Sequence, residues 1–156
     1  MTPRFEYKKA FTVIGVGADY NLTEPNKNPA LWDEFLCQKH RIKGVQRQEA
    51  YGICYAPKEK ETFSDQFHYT AALCVIDDAS VPEGMEKIRI PAQKYAVFTH
   101  KGPATDMAKT NVFIWKTWLP QSGLEPADAP DFELYGARWN GNKAEGEVEI
   151  YVPIVR

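Results

Sequence analysis

The chain has 156 residues, a formal net charge of −2 and 44% hydrophobic residues, which is typical of a soluble globular protein with one domain. The slightly acidic balance excludes the basic stripe that a nucleic-acid backbone requires, and no apolar run approaches the ~18 residues of a membrane span. Aromatic residues make up 13% of the chain, and such rings either thicken a core or line a ligand site.

The termini and the cysteines point to one cellular compartment. The N-terminus lacks the apolar stretch of a signal peptide. Cys37, Cys54 and Cys74 are odd in number and show no C-x-x-C spacing, so neither a zinc motif nor a disulfide framework follows. We therefore expect a cytoplasmic protein with three unpaired, buried thiols and no metal or other cofactor.

The first half of the chain predicts the order strand, helix, strand, strand. A β-branched run forms the first strand, over residues 11–17. Asn28 and Pro29 open a helix that ends near Gly44 and carries an apolar stripe including Trp32. Two further strands are predicted at residues 51–55 and 67–76.

The second half predicts the same order after a linker over residues 77–93. A strand over residues 95–100 is broken by Lys101-Gly102-Pro103. Thr105 or Asp106 then caps a helix that ends at Pro120 and Gly123. Its stripe places Trp115 and Trp118, like Trp32, in the core. The last two strands are predicted at residues 132–135 and 147–155.

These patterns predict the fold class α/β (α+β), with a duplicated strand–helix–strand–strand unit and pseudo-twofold symmetry. Residues 8–76 and 94–156 are the two units, offset by roughly 80 residues within one domain spanning residues 1–156. We expect one sheet per unit, helices on one face and a groove between the halves, a common position for a ligand site.

Glu133 is the strongest candidate site residue. Successive strand side chains point to opposite faces, so Phe132 and Leu134 share the core face while Glu133 and Tyr135 share the other. A carboxylate beside aromatic rings in a cavity can receive a cation. Alternation alone leaves two interpretations of Glu133 open. It is either a ligand-binding carboxylate in a cavity or a solvent-facing strand residue, and strand glutamates more commonly face water.

Further candidate ligand-binding residues lie on neighbouring predicted strands, except Trp139, which lies in a predicted loop as either a lid or a cover over the core. They are Tyr51, Tyr55, Phe98, Trp139, Glu149 and Tyr151. Glu149 and Tyr151 are expected to face the same way as Glu133. Core packing is the alternative for Tyr51, Tyr55 and Phe98, and a solvated edge is the alternative for Glu149. No catalytic residue is assigned, because the histidines are scattered and no serine lies in an elbow motif.

Four stretches of the chain resemble the GyrI-like small-molecule-binding domains, which are also the effector-binding domains of AraC-type and MerR-type multidrug regulators. They are IPAQKYAVFTHKGP at residues 90–103, WLPQSG at 118–123, FELY at 132–135 and EIYVPI at 149–154. The resemblance implies a duplicated fold with a ligand channel between the halves. It also implies cationic, aromatic ligands held by a central glutamate, which Glu133 matches.

The regulators of that family carry a DNA-binding helix-turn-helix region ahead of this domain, whereas the first predicted strand here lies near the N-terminus. We therefore expect a stand-alone form that does not bind DNA directly or associate with a membrane. Its expected role is to bind cationic, amphipathic drug-like compounds. The outcome is either sequestration or sensing through a protein partner such as a transcription regulator.

Two alternatives remain. In the first, the protein is a hydrolase of reactive drug-like electrophiles, with Glu133 as general base and Tyr135 polarising the substrate. In the second, it is an interaction protein that acts on DNA gyrase, since some stand-alone relatives of the family are described as gyrase inhibitors. A binding protein rather than an enzyme is the favoured interpretation.

Overall fold

β-Branched and aromatic runs build most of the molecule. The computed structural model describes residues 1–21, 28–55, 66–141, 143 and 145–155. Within these residues the strands are β1 (Arg4–Lys8), β2 (Phe11–Asn21), β3 (Val45–Tyr55), β4 (Gln66–Val75), β5 (Glu86–Ile90), β6 (Gln93–Pro103), β7 (Asp131–Tyr135), β8 (Trp139–Asn140) and β9 (Glu145–Pro153). With the helices below, they make a mixed α+β fold.

The nine strands of the described residues form one antiparallel sheet in the order β1-β6-β9-β7-β3-β4-β2-β5, with β8 paired to β9. The expectation of one sheet per half is wrong. β7 pairs with β3 of the first half on one edge and with β9 of the second half on the other. Both rows of backbone groups on β7 are thereby satisfied, whereas two separate sheets would leave further unpaired edges. The pseudo-twofold duplication stays a prediction.

The helices lie in two segments of the chain. α1 (Asn28–Gln38) continues into a 3₁₀ turn at Lys39–Arg41. The second helical run consists of consecutive segments, which are a 3₁₀ turn (Ala104–Asp106), α2 (Met107–Val112), a π-helical stretch (Phe113–Trp118) and α3 (Leu119–Ser122). No helix among the described residues is long and apolar enough to cross a membrane.

The second helical run passes through Pro120 and ends at Gly123, so only the second of the two predicted stops is correct. Pro120 has no N–H for the carbonyl four residues earlier, and the wider π-helical turn before it accommodates that loss. Gly123 adopts φ +77°, the left-handed conformation that glycine takes at helix ends. Asp106 is the N-cap residue of α2, one of the two predicted positions, but its side chain makes no capping hydrogen bond.

Each helical layer covers its own apolar cluster on the sheet. Leu31 and Phe35 of α1 pack with residues of β2 and β4, including Ile14 and Ala71. Met107 and Ile114 of the second run pack with residues of β6 and β9, including Phe98 and Ile150. Trp115, in contrast, is 37% exposed, so its predicted core position is wrong.

Strand register shows that both helical layers cover the same face of the sheet. Gly52 of β3 pairs with Ala71 of β4 and with Glu133 of β7, and Glu133 in turn pairs with Ile150 of β9. Residues opposite one another in register point to the same face. Ala71 belongs to the cluster under α1 and Ile150 to the cluster under the second run. β7 therefore runs along the boundary between the two helical layers.

The opposite face of the sheet holds a third cluster, which we call the inner aromatic cluster. It joins strands that are distant in sheet order, so the sheet curls into a half-barrel. Phe132 stacks on Tyr151 at 4.4 Å between ring centroids and lies 5.6 Å from Phe11 of β2. The buried members are Val13, Tyr51, Ile53, Ala72, Cys74, Ile90, Tyr95, Val97, Phe132 and Tyr151.

Several element boundaries differ from the predicted ones. β5 lies inside the predicted linker, and β1 and β8 were not predicted. β6 continues through Lys101-Gly102-Pro103, because Gly102 takes φ +121° and the pairing with β9 extends to Pro103. All three thiols are free as predicted, but only Cys74 is buried, since Cys54 is half-buried and Cys37 is exposed on α1.

Candidate functional site

The carboxylate of Glu133 lies on the helix-facing side of β7 and is held by two tyrosines. The Tyr69 hydroxyl donates to Glu133 Oε1 at 2.7 Å, and the Tyr135 hydroxyl donates to the same oxygen at 2.9 Å. Tyr69 comes from β4 of the first half, while Tyr135 follows Glu133 on β7 with one residue between them. No hydrogen bond to Oε2 comes from the residues that the structure describes. Oε2 is therefore the oxygen available to a ligand.

Trp32 connects α1 to this carboxylate. Its indole N–H donates to the Tyr69 hydroxyl at 3.2 Å, and its ring lies 5.0 Å from the Tyr135 ring in an edge-on arrangement. The Trp139 ring lies 5.2 Å from the Tyr135 ring. Rings from α1, β7 and β8 thus meet at Tyr135, which donates to Glu133.

Gly52 provides the space in which Tyr69 reaches Glu133. A Cβ atom at position 52 would lie 2.1 Å from the Tyr69 hydroxyl oxygen and 2.8 Å from Glu133 Oε1, both far inside normal contact. Gly52 is opposite Glu133 in register, and the Tyr69 side chain crosses above it. Any side chain at this position would separate the hydroxyl from the carboxylate.

The electrostatics of Glu133 are a balance between burial and hydrogen bonding. Burial raises the pKa of Glu133, while the hydrogen bonds from Tyr69 and Tyr135 and the nearby imidazole of His100 oppose that rise. No lysine or arginine among the described residues acts on this pKa. The carboxylate therefore accepts hydrogen bonds from neutral hydroxyls, and no lysine or arginine within that part of the chain pairs with it.

The two tyrosines remain donors over the whole physiological range. Burial, followed by the negative charge of Glu133, raises the pKa of both Tyr69 and Tyr135 well above its ordinary value. Neither hydroxyl can act as a base at neutral pH. Their protons are committed to Glu133 Oε1.

Of the residues predicted from sequence, the structure brings Tyr135 into contact with Glu133, and Trp139 into contact with Tyr135. Trp139 belongs to the short strand β8 rather than to a loop. Phe98 is on the same face but fully buried, and its ring packs on Trp118 at 4.9 Å. Phe98 is thus part of the core under the second helical run and is not accessible to a ligand.

Four other candidates lie on the opposite face. Tyr51 and Tyr151 are buried members of the inner aromatic cluster. Glu149 forms an ion pair with Arg4 of β1, and Tyr55 shares the face of Tyr51 by strand alternation. The expectation that Glu149 and Tyr151 face the same way as Glu133 is wrong, because Tyr151 is in register with Phe132 and Ile150 is in register with Glu133.

Sequence reasoning missed Tyr69, Gly52 and the polar role of Trp32. Tyr69 lies in the predicted strand 67–76, but nothing in the sequence indicates that this strand is two positions from β7. Trp32 was placed in the core by its helical stripe, and it is in fact half-buried. Among the described residues, no group of three or more His, Cys, Asp or Glu side chains could hold a metal ion.

Comparison with known proteins identifies one family, and it finds similarity to a transcriptional regulator and to a DNA gyrase inhibitor. The profile of the GyrI-like small molecule binding domain matches residues 1–155. The transcriptional regulator BrlR of Pseudomonas aeruginosa is 38% identical over 157 residues, which cover 99% of this chain and 56% of the regulator. A DNA gyrase inhibitor of Erwinia billingiae is 29% identical over 94 residues, which cover 58% of this chain and 60% of the inhibitor. The chain thus spans little more than half the length of these curated relatives.

Solved structures show the same fold at low sequence identity. SAV2435 bound to tetraphenylphosphonium has a TM-score of 0.75 at 16% identity, with 99% of this chain and 94% of that chain covered. The C-terminal domain of EcmrR has a TM-score of 0.69 at 14% identity, with coverages of 98% and 96%. At such identities the likeness concerns the fold alone.

Proposed function

The chain belongs to the GyrI-like family of small-molecule binding domains, and from that premise we propose that it binds cationic, amphipathic aromatic molecules beside Glu133. The observation that carries the proposal is the state of this carboxylate. It is half-buried, its Oε1 is bound by two neutral hydroxyls, and no lysine or arginine of the described residues neutralises it. A desolvated carboxylate that no lysine or arginine neutralises favours a cationic partner.

The rings around Glu133 support an aromatic, delocalised cation over a small inorganic one. Trp32 and Trp139 flank Tyr135 at 5.0 and 5.2 Å between ring centroids. Such rings attract a cation over their faces and add apolar contact area. A neutral ligand of the same shape would leave the Glu133 charge unpaired, so the site discriminates by charge.

SAV2435 was solved with tetraphenylphosphonium, a cation that carries four phenyl rings, and its shared fold supports the same ligand class here. The proposal puts the ligand channel between the two halves, on the helix-facing side of β7. It includes the pseudo-twofold duplication of residues 8–76 and 94–156. Binding serves sequestration of toxic cations or sensing through a protein partner.

The hydrolase alternative requires Tyr135 to donate a hydrogen bond to a bound electrophile. Tyr135 donates to Glu133 instead, and releasing it would remove one of the two bonds that oppose the raised pKa of Glu133. The gyrase alternative has one specific observation in its favour, the 29% identity to the inhibitor of Erwinia billingiae. A DNA supercoiling assay with purified gyrase tests it, and unchanged supercoiling counts against it.

The experiment that tests the main proposal uses two ions of the same shape and opposite charge. Tetraphenylphosphonium and tetraphenylborate each carry four phenyl rings on a tetrahedral centre. Isothermal titration of both against the purified chain should give binding of the phosphonium and at least about tenfold weaker binding of the borate, equivalent to about 1.4 kcal/mol. Equal affinities would show that apolar contact alone drives binding, and they would remove the role of Glu133.

A further inference from the structure

A second carboxylate shares the helix-facing side of β7. Asp131 is the first residue of β7 and stands two positions before Glu133, so both side chains leave the strand on the same face. Two strand residues span about 7 Å. Asp131 is half-buried and lies in register with Cys54 of β3, next to the pair formed by Gly52 and Glu133.

The surroundings of Asp131 contain no compensating cation among the described residues. Burial, followed by the negative charge of Glu133, raises the pKa of Asp131 to about 7, and only a hydrogen bond from its own backbone N–H opposes this. Burial and then the charges of Asp131 and Glu133 also raise the pKa of the Cys54 thiol. All three groups therefore face one shared space, and no lysine or arginine of the described residues acts on the pKa of either acid.

The spacing favours two separate positive charges over one shared ion. Oxygen ligands of Ca²⁺ or Mg²⁺ lie about 2.0–2.6 Å from the metal, so the two carboxylates would have to converge on one point. Glu133 Oε1 accepts from both Tyr69 and Tyr135, which leaves Oε2 as the oxygen that can face a ligand charge. The strand spacing fits a rigid, elongated ligand with one positive charge near each end.

We propose that Asp131 is a specificity-determining residue that makes the site prefer aromatic dications whose two charges are about 7 Å apart, two strand residues. This inference rests on the proposed function, because Glu133 holds the first charge and the surrounding rings hold the aromatic body. Asp131 then pairs with the second charge at the far end of the ligand. A monocation leaves Asp131 unpaired.

The test compares two ligands of nearly the same shape. Paraquat carries a quaternary nitrogen at each end of a bipyridine, whereas 1-methyl-4-phenylpyridinium carries only one. Isothermal titration of the wild-type chain should give about tenfold tighter binding of the dication. Asp131→Asn should abolish that preference, because it weakens the dication through the lost pair and the monocation only through the longer-range attraction of the Asp131 charge.

Asp128→Asn is the matched control, because Asp128 is exposed and the substitution changes the net charge equally. The control should keep the preference for the dication, which separates Asp131 from general attraction to an acidic protein. Equal affinity of the wild-type chain for the two ligands, or a preference that survives Asp131→Asn, would overturn the inference. Equal wild-type affinities would overturn the inference even if the Asp131→Asn variant fails to fold.

The same titrations distinguish a failure of this inference from a failure of the proposed function. Glu133→Gln should weaken both ligands. If Glu133→Gln weakens the binding of both ligands while Asp131→Asn changes neither affinity, the cation site at Glu133 stands and the second charge position at Asp131 is wrong. If Glu133→Gln changes neither ligand, both proposals are overturned.

Discussion

At the scale of single residues, Glu133 shows how a carboxylate stays charged while partly desolvated. Two phenolic hydroxyls share its Oε1 and offset the cost of burial without supplying a positive charge. An arginine in the same place would neutralise the site and remove its attraction for a cation. Two neutral donors keep the charge available.

Glu133→Gln tests this arrangement with the shape preserved. The fold should survive, because the amide oxygen can still accept from Tyr69 and Tyr135. The affinity for tetraphenylphosphonium should fall by about 2 kcal/mol, at the low end for a desolvated charge pair, or roughly thirtyfold. Isothermal titration of both proteins measures this, and an unchanged affinity would return Glu133 to the role of a solvent-facing strand residue.

The pH dependence of binding follows from the raised pKa of Glu133. Cation binding requires the ionised form, so affinity should fall as pH drops through that pKa, above the ordinary value of about 4.3. The free energy of unfolding changes with pH in the opposite direction to the affinity. A carboxyl with a raised folded-state pKa makes the free energy of unfolding decrease as pH rises from the unfolded to the folded value. Titrations over this range should show both trends, and Glu133→Gln should flatten both.

Gly52→Ala should disturb the site through steric contact alone. The added Cβ would collide with the Tyr69 hydroxyl and Glu133 Oε1, and overpacking of this kind costs roughly 1–3 kcal/mol in the free energy of unfolding. Urea unfolding measures the loss. Gly141→Ala is the control, because no atom lies within 4 Å of a Cβ there. Adding Tyr69→Phe should restore part of the stability but not the cation affinity, whereas full tolerance of Gly52→Ala would contradict the packing described for Tyr69.

At the scale of elements, a histidine joins three strands of the first half. His68 of β4 contacts Asp19 of β2 through Nδ1 at 2.8 Å and Glu86 of β5 through Nε2 at 2.6 Å. Thr70 donates to the same Glu86 oxygen at 2.8 Å. Gly17 leaves room for the Glu86 carboxylate, since a Cβ there would lie 1.6 Å from it. The cluster ties the edge strand β5 to its neighbours.

The protonation of His68 should therefore stabilise the sheet edge at low pH. Burial lowers the pKa of His68, but the hydrogen bonds to Asp19 and Glu86 outweigh it, so the net pKa is raised. The stabilisation is fully present below the unfolded value of about 6.5 and is lost as pH rises through the folded value. Thermal unfolding of wild type and His68→Gln across this range checks it. Parallel pH profiles for the two proteins would show that His68 carries no such coupling.

The individual elements also show what sequence can and cannot supply. Apolar alternation located Phe132 and Leu134 on one face and Glu133 and Tyr135 on the other, as the structure has them. The segments 86–90 and 101–103 read as linker and turn because of nearby prolines and glycines, yet both are strands. Their pairing with β2 and β9 is a long-range property that local residue preference does not contain.

At the scale of the whole molecule, β7 determines which residues meet. Sequence alternation gives two faces for each strand but does not say which face of β3 or β9 corresponds to that of Glu133. The register of β7 with both neighbours fixes this, and it puts Tyr51 and Tyr151 into the inner aromatic cluster. The same register brings Tyr69 of the first half to Glu133 of the second. The candidate site is thus a product of the sheet order.

The measurement that tests the account most directly is a crystal structure of the chain with tetraphenylphosphonium. We expect the cation on the helix-facing side of β7, with its charge nearest Glu133 Oε2 and its phenyl rings against Trp32, Tyr135 and Trp139. A cation bound on the other face, against Tyr51 and Tyr151 of the inner aromatic cluster, would contradict the assignment of Glu133 and the account built on it.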